Sequence, residues 1–111
     1  MVVGVCRIVL SLPGNQSLKG KRKVVRSALD RVRARFNAAA AEVDAMDDWR
    51  RAVLGFSVVS NEVGHANAML DHIATFVESS VDAVVVDRSL EFVHVEHGMA
   101  AFNMGGEDED L

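Results

Sequence analysis

The residues best placed to do chemistry lie in one short stretch. Lys19, Arg22, Lys23, Arg26 and Arg33 recur at helical spacing. At ~100° per residue they fall within about 100° of arc, interrupted only by Asp30. Such a row offers ammonium charges and guanidinium forks to successive phosphates of a nucleic acid, a contact that fixes position without reading bases. If each of the five displaced one counterion, affinity would fall with salt at a log–log slope of about −3.5 to −4.5. Two other readings fit the same pattern: a solvated helix face neutralised by the chain's own acids, and a docking face for an acidic protein.

Residues 17–36 hold eight of the twelve Lys and Arg residues against a single acid, a net +7 that leaves the remainder of this −4 chain at −11. Four of those negative charges close the sequence as Glu107-Asp108-Glu109-Asp110. The whole molecule is therefore no polycation, and only the basic segment calls for an acidic partner. The acidic end could fold onto that segment and compete with nucleic acid, although a solubilising end is the simpler reading.

Other candidate constellations are weaker. Glu42 and Asp44 stand two apart in a strand-like segment and are expected on one face, with Asp47 and Asp48 following. Paired carboxylates can bind a divalent cation or share a proton, as a metal-dependent hydrolase using Glu42, Asp44 and Asp47 would require. Ion pairs with Arg50 and Arg51 are the competing reading. Trp49, the sole tryptophan, is with Arg50 a candidate partner contact, or else a cover over the end of the core.

The remaining polar residues argue against a metal or cofactor. His65 and His72 are seven apart, two helical turns rather than the one turn of a helical zinc pair, and His94 and His97 alternate faces. Neither Cys-x-x-Cys nor His-Glu-x-x-His occurs. Gly14 and Gly20 do not form a phosphate-binding P-loop, because Lys21 is followed by Arg22 instead of Ser or Thr. Cys6 falls on a core-facing position, where a thiol behaves as a small apolar group. No metal, no small-molecule cofactor and no catalytic residue is expected, and the expectation is a non-enzymatic protein.

The elements that position these residues follow from periodicity. Residues 2–12 alternate, with Cys6, Ile8, Leu10 and Leu12 on one face and Arg7, Val9 and Ser11 on the other, before Pro13-Gly14-Asn15 breaks the strand. Ser17 is the expected N-cap of a helix running to about residue 36, with Leu18, Val25, Leu29, Val32 and Phe36 as its apolar stripe. Residues 38–44 read as a second strand against the rival of a longer helix, and 51–59 as a third. A second helix over 61–79 carries Val63, Ala66, Leu70, Ile73 and Val77 inward, with Ser60 or Asn61 as its cap. Residues 82–95 form the last strand, with a break or bulge near Asp87-Arg88-Ser89.

This order is βαββαβ. Right-handed crossovers fold it into an α+β ferredoxin-like sandwich, a four-stranded antiparallel sheet with both helices on one face. The domain is expected over 1–97, with a disordered acidic tail over 98–111. Alternation places Val3, Val5, Arg7, Val9, Glu42, Asp44, Arg51 and Val53 on the uncovered sheet face. That face lacks the aromatics on which bases stack, and suits self-association into a homodimer instead.

Three segments together resemble a known family: Leu12-Pro13-Gly14 with Ser17-Leu18-Lys19-Gly20-Lys21-Arg22; Arg35-Phe36-Asn37 leading to Ala41-Glu42-Val43-Asp44; and Asp47-Asp48-Trp49-Arg50-Arg51-Ala52 leading to Leu54-Gly55-Phe56 and Val58-Val59-Ser60-Asn61. The pattern is similar to the YlxP-like family, small bacterial proteins carrying a domain of unknown function. The resemblance covers about residues 1–80 and implies a ferredoxin-like fold, a bacterial cytosolic protein, and relatives encoded beside translation and ribosome-maturation factors. It carries over no catalytic residue. Gly20 departs from the family's usual Glu or Asp, which with Ser17 would complete a capping box, at a cost of roughly 1–2 kcal/mol of local helix stability.

The 111 residues suffice for one domain. No apolar run approaches the ~18 residues of a membrane span, the first residues lack the pattern of a signal peptide, and one cysteine precludes an internal disulfide, so a cytoplasmic location is expected. The functional expectation is an RNA- or ribosome-associated binding protein acting through the first helix. Its alternative is a homodimeric interaction module using the open sheet face, with no nucleic-acid role.

Overall fold

The structure, a computed structural model, describes residues 1–96. His97 and the acidic tail assigned to 98–111 lie outside the described residues. The six elements follow one another as β1 (Val2–Ser11), α1 (Leu18–Arg35), β2 (Ala39–Asp44), β3 (Arg51–Ser60), α2 (Val63–Ser80) and β4 (Val84–His94). The strands form one sheet in the order β2-β3-β1-β4, every neighbouring pair antiparallel, as the ferredoxin-like expectation requires.

The apolar periodicities decide what is buried. Cys6, Ile8 and Leu10 of β1 and Ala52, Leu54, Phe56 and Val58 of β3 meet Val25, Ala28, Leu29 and Val32 of α1 and Ala66, Leu70, Ile73, Ala74 and Val77 of α2. Gly4 makes the approach of α2 possible, since a Cβ there would stand 2.9 Å from the Leu70 Cδ1. Phe36 ends α1 in extended geometry while its N–H still donates to the Val32 carbonyl at 2.8 Å. The alanine-rich run that follows is therefore strand, and the longer-helix alternative is excluded.

Two details differ from the sequence reading, and a third, the bulge in the last strand, is placed within one residue of it. The α2 N-cap is Glu62, with no side-chain cap bond; the Ser60 hydroxyl instead accepts from the Glu62 N–H at 3.2 Å and lies 3.1 Å from His65 Nδ1. The last strand is continuous, and its bulge falls at Val86, between the pairs Val9–Asp87 and Leu10–Val85. A second bulge, at Val43, lies between Glu42, opposite Leu54, and Asp44, opposite Val53.

That second bulge overturns the shared face assigned to Glu42 and Asp44. An extra residue in one strand reverses the sides that follow it. Glu42 turns to the helix side with Leu54, while Asp44 stays on the open face, 4.0 Å from Arg7. The open face also exposes less apolar surface than expected, because Val53 is fully buried between its cross-strand neighbours Val9 and Asp44, and Val9 is itself buried.

Candidate nucleic-acid interface

Helix α1 begins at Ser17, whose hydroxyl accepts from the Gly20 N–H at 3.0 Å, as the capping signal predicts. The reciprocal half of a capping box is absent at Gly20, and Asn15 occupies that space. A Cβ on residue 20 would lie 2.2 Å from the Asn15 Oδ1. The Asn15 amide donates to the Ser17 carbonyl at 2.8 Å and to the Trp49 carbonyl, tying the helix start to the β2–β3 loop. Gly20 is thus the residue that lets Asn15 lie across the first turn.

The next residue is Lys21, which is completely buried. Its ammonium donates to the carbonyls of Ala45 at 2.6 Å, Met46 at 3.2 Å, Asp48 at 2.8 Å and Arg51 at 3.1 Å. The Glu42 Oε2 lies 2.9 Å away as its counter-ion. That oxygen is buried and no donor is aligned with it as a hydrogen bond, so its compensation is the Lys21 charge itself. The loop is shaped around the ammonium much as a binding loop is shaped around a metal ion. Ala45 takes a positive φ of 55°, its N–H held by the Asp44 carboxylate at 2.7 Å, and the Asp48 N–H returns to the Ala45 carbonyl at 3.0 Å.

The carboxylates proposed for a metal thus serve other ends. Glu42 belongs to Lys21, Asp44 faces Arg7 across the other side of the sheet, and Asp47 is exposed in the loop, where its neighbour Asp48 caps the turn by accepting from the Arg50 N–H at 3.0 Å. Among the described residues no group of three or more His, Cys, Asp or Glu side chains is disposed to hold a metal. Trp49 is half-buried, with the Arg50 guanidinium 4.8 Å over its ring. Burial pushes the Cys6 thiol above its ordinary pKa, opposed by the charge of Arg88, which fits an unreactive core residue.

The eight cations of the basic stretch now divide. Arg31 donates to the Ser80 carbonyl at 2.8 Å, clamping α1 to the end of α2. Arg33 donates to the Ala40 carbonyl at 2.5 Å and pairs with Asp30 at 3.4 Å. Arg35 stacks 4.9 Å over Phe76, whose ring meets Phe36 edge-on with centroids 5.6 Å apart. Lys21 is caged. Lys19, Arg22, Lys23 and Arg26 are exposed, make no ion pair among the described residues, and line one open groove with Ser27 and Asp30.

Arg33 is therefore a correction to the predicted row. It has the right angle on the helix, but its guanidinium is turned to the β2 backbone. The other four lie exposed along about two turns of one helix face. The position of Lys19 is electrostatically costly, because the first turn of a helix carries the positive end of its dipole and favours anionic side chains. No acidic residue stands in the first turn of α1.

The fold and the groove together define a small ferredoxin-like protein that presents a cationic helix face. The chain belongs to a family of proteins of unknown function, DUF503, whose pattern it matches over residues 3–90. It is 33% identical over 63 residues to the uncharacterized protein YlxP of Bacillus subtilis (strain 168), an overlap of 57% of this chain and 68% of that one. Among solved structures it is similar to a de novo designed protein with ferredoxin fold determined by solution NMR. The TM-score there is 0.49 at 14% identity, over 96% of each chain. No helix among the described residues is long and apolar enough to cross a membrane.

Proposed function

We propose that this protein is a non-enzymatic RNA-binding protein, of the kind that associates with ribosomal or other structured RNA, and that it grips the phosphate backbone through Lys19, Arg22, Lys23 and Arg26. One observation carries the reading. Four cations share one open groove on the N-terminal half of α1, Lys19 among them in the first turn where the helix dipole repels it, and none of the four forms an ion pair among the described residues. A phosphate backbone would offset both the side-chain charges and the dipole. The neighbouring loop, held rigid around Lys21, keeps Trp49 and Arg50 beside the start of the same helix as a second contact.

The open sheet face gives no base-stacking surface, so the expected recognition is of backbone and shape rather than of sequence. The test is fluorescence anisotropy against a structured RNA at two salt concentrations. With four contacts the log–log slope should be about −2.8 to −3.6, which is roughly 50- to 150-fold weaker binding at about 200 mM than at about 50 mM. Changing Lys19, Lys23 and Arg26 together to Ala should abolish it. No binding at low salt, or binding indifferent to those changes, would remove the reading.

A further inference from the structure

We infer that β4 is a pairing edge for a second copy of this chain, the two strands joining antiparallel about a two-fold axis at Leu90. Three hydrogen bonds fix which groups are free. The Val95 N–H donates to the Met1 carbonyl at 2.8 Å, and the Met1 ammonium donates to the Val95 carbonyl at 3.1 Å. On the other side of β1, the Leu12 N–H donates to the Arg50 carbonyl at 2.9 Å. Odd residues of β1 therefore bond to β4 and even ones to β3. In β4 from Asp87 onward the odd residues turn inward, and the N–H and C=O groups of Arg88, Leu90, Phe92 and His94 point out of the sheet. Among the described residues no strand meets them.

The two edges of the sheet are unlike. β2 is six residues long and bulged, features that discourage pairing. β4 is eleven residues long, and beyond its bulge at Val86 it runs to His94 without Pro or Lys. Exposed apolar side chains concentrate on it and just past its end: Val84, Val86 at 56%, Leu90 at 40%, Val93 at 45% and Val95. Leu90 is on the helix side of the sheet, opposite buried Cys6, yet α2 barely reaches over it.

Charge selects the register. In an antiparallel pair about a two-fold axis, a centre at Ser89 would set Asp87 against Glu91, a centre at Glu91 would set it against itself, and a centre at Arg88 would do the same for that cation. A centre at Phe92 needs Glu96, beyond the end of β4, as a strand residue. The centre at Leu90 keeps its pairs inside β4: Leu90 with Leu90, Ser89 with Glu91, and Arg88 with Phe92. No like charges stand directly opposite one another. The four-stranded sheets join edge to edge, and the helices of both copies lie on the same side, with each α1 toward the distant β2 edge. The groove on α1 stays open in both.

One strand pair buries little area, so the dimer is expected at the weak end of specific association and should be sought near 100 µM, roughly the upper range for such contacts. Light scattering of the full chain should give the mass of two copies there. Leu90→Arg opposes two cations across the axis and should weaken association roughly 100-fold or more, with circular dichroism and RNA binding unchanged. The register has its own readout. A mixture of chains carrying Ser89→Cys and chains carrying Glu91→Cys should form a cross-linked pair on mild oxidation, because these residues are opposite only in this arrangement; neither variant should cross-link alone. A monomer at the highest concentration, a dimer indifferent to Leu90→Arg, or cross-linking within one variant instead of the mixture would each overturn the inference.

Discussion

In the N-terminal half of α1, four of the five cations end in solvent; in the C-terminal half, all three end on protein. The residue types are the same and the helix is the same, so the difference lies in what surrounds each end. Arg31, Arg33 and Arg35 lie within reach of the end of α2, the β2 backbone and Phe76, and each satisfies a neighbour's carbonyl or ring. Lys19, Arg22, Lys23 and Arg26 stand where α1 has no neighbour on its outer side. Nearly half of the +7 of this segment is therefore spent within the fold. A count of charges measures how basic a segment is, whereas a binding footprint consists only of the charges the fold leaves unspent.

Lys21 and Lys23 give that comparison its hardest test, and the largest effect. Lys21→Met should destabilise the protein by about 3–5 kcal/mol, because it leaves the Glu42 carboxylate buried without its counter-ion and four loop carbonyls without their donor. Lys23→Met should change stability by no more than about 0.5 kcal/mol while weakening RNA binding. Urea melts of the two variants decide it. Equal losses would mean that the buried cage contributes nothing special.

The same pair marks the limits of what the sequence makes legible. The strands and helices were readable because alternation and the 3.6-residue stripe are local signals, and they fixed Cys6, Ile8, Leu10, Val25, Val32, Leu70 and Val77 in the core. Lys21 also gave a signal, one easily passed over. At ~100° per residue it falls among Val25, Ala28, Leu29 and Val32, inside the apolar stripe, where a lysine must find partners. Which partners was unreadable, since they are carbonyls 24 to 30 residues away, and carbonyls have no residue type. The Val43 bulge was equally hidden, because alternation cannot announce the residue at which it will slip. With it went the predicted shared face of Glu42 and Asp44. The row of cations was legible as a row, but Arg33's turn toward Ala40 depends on where β2 returns beside the helix.

Removing single cations sharpens the division between the two halves. Lys23→Ala or Arg26→Ala should each reduce the salt slope of RNA binding by about 0.7–0.9, with little change in stability. Arg33→Ala should do the reverse, leaving the slope unchanged and costing about 1 kcal/mol of stability through the lost bond to Ala40. Salt titrations and thermal melts of the same three variants check both columns of the comparison. A slope that falls for Arg33→Ala would place that residue back in the binding row.

The smallest expected effect concerns how the N-terminal half is anchored. Glycine inside a helix normally costs about 0.5–1 kcal/mol relative to alanine, so Gly20→Ala should stabilise α1 if the residue were free. It is not free, since a Cβ there would meet the Asn15 Oδ1 at 2.2 Å, and Asn15 is held in place by its bonds to Ser17 and Trp49. In the natural background Gly20→Ala should therefore give no gain. In an Asn15→Ala background, where the obstruction is gone, the same change should stabilise by about 0.5–1 kcal/mol. The difference between the two backgrounds, measured as a double-mutant cycle by urea unfolding, is the coupling between the glycine and the strap it accommodates. A coupling near zero would mean that Asn15 moves aside freely, and that the helix start is less firmly joined to the Trp49 loop than the hydrogen bonds imply.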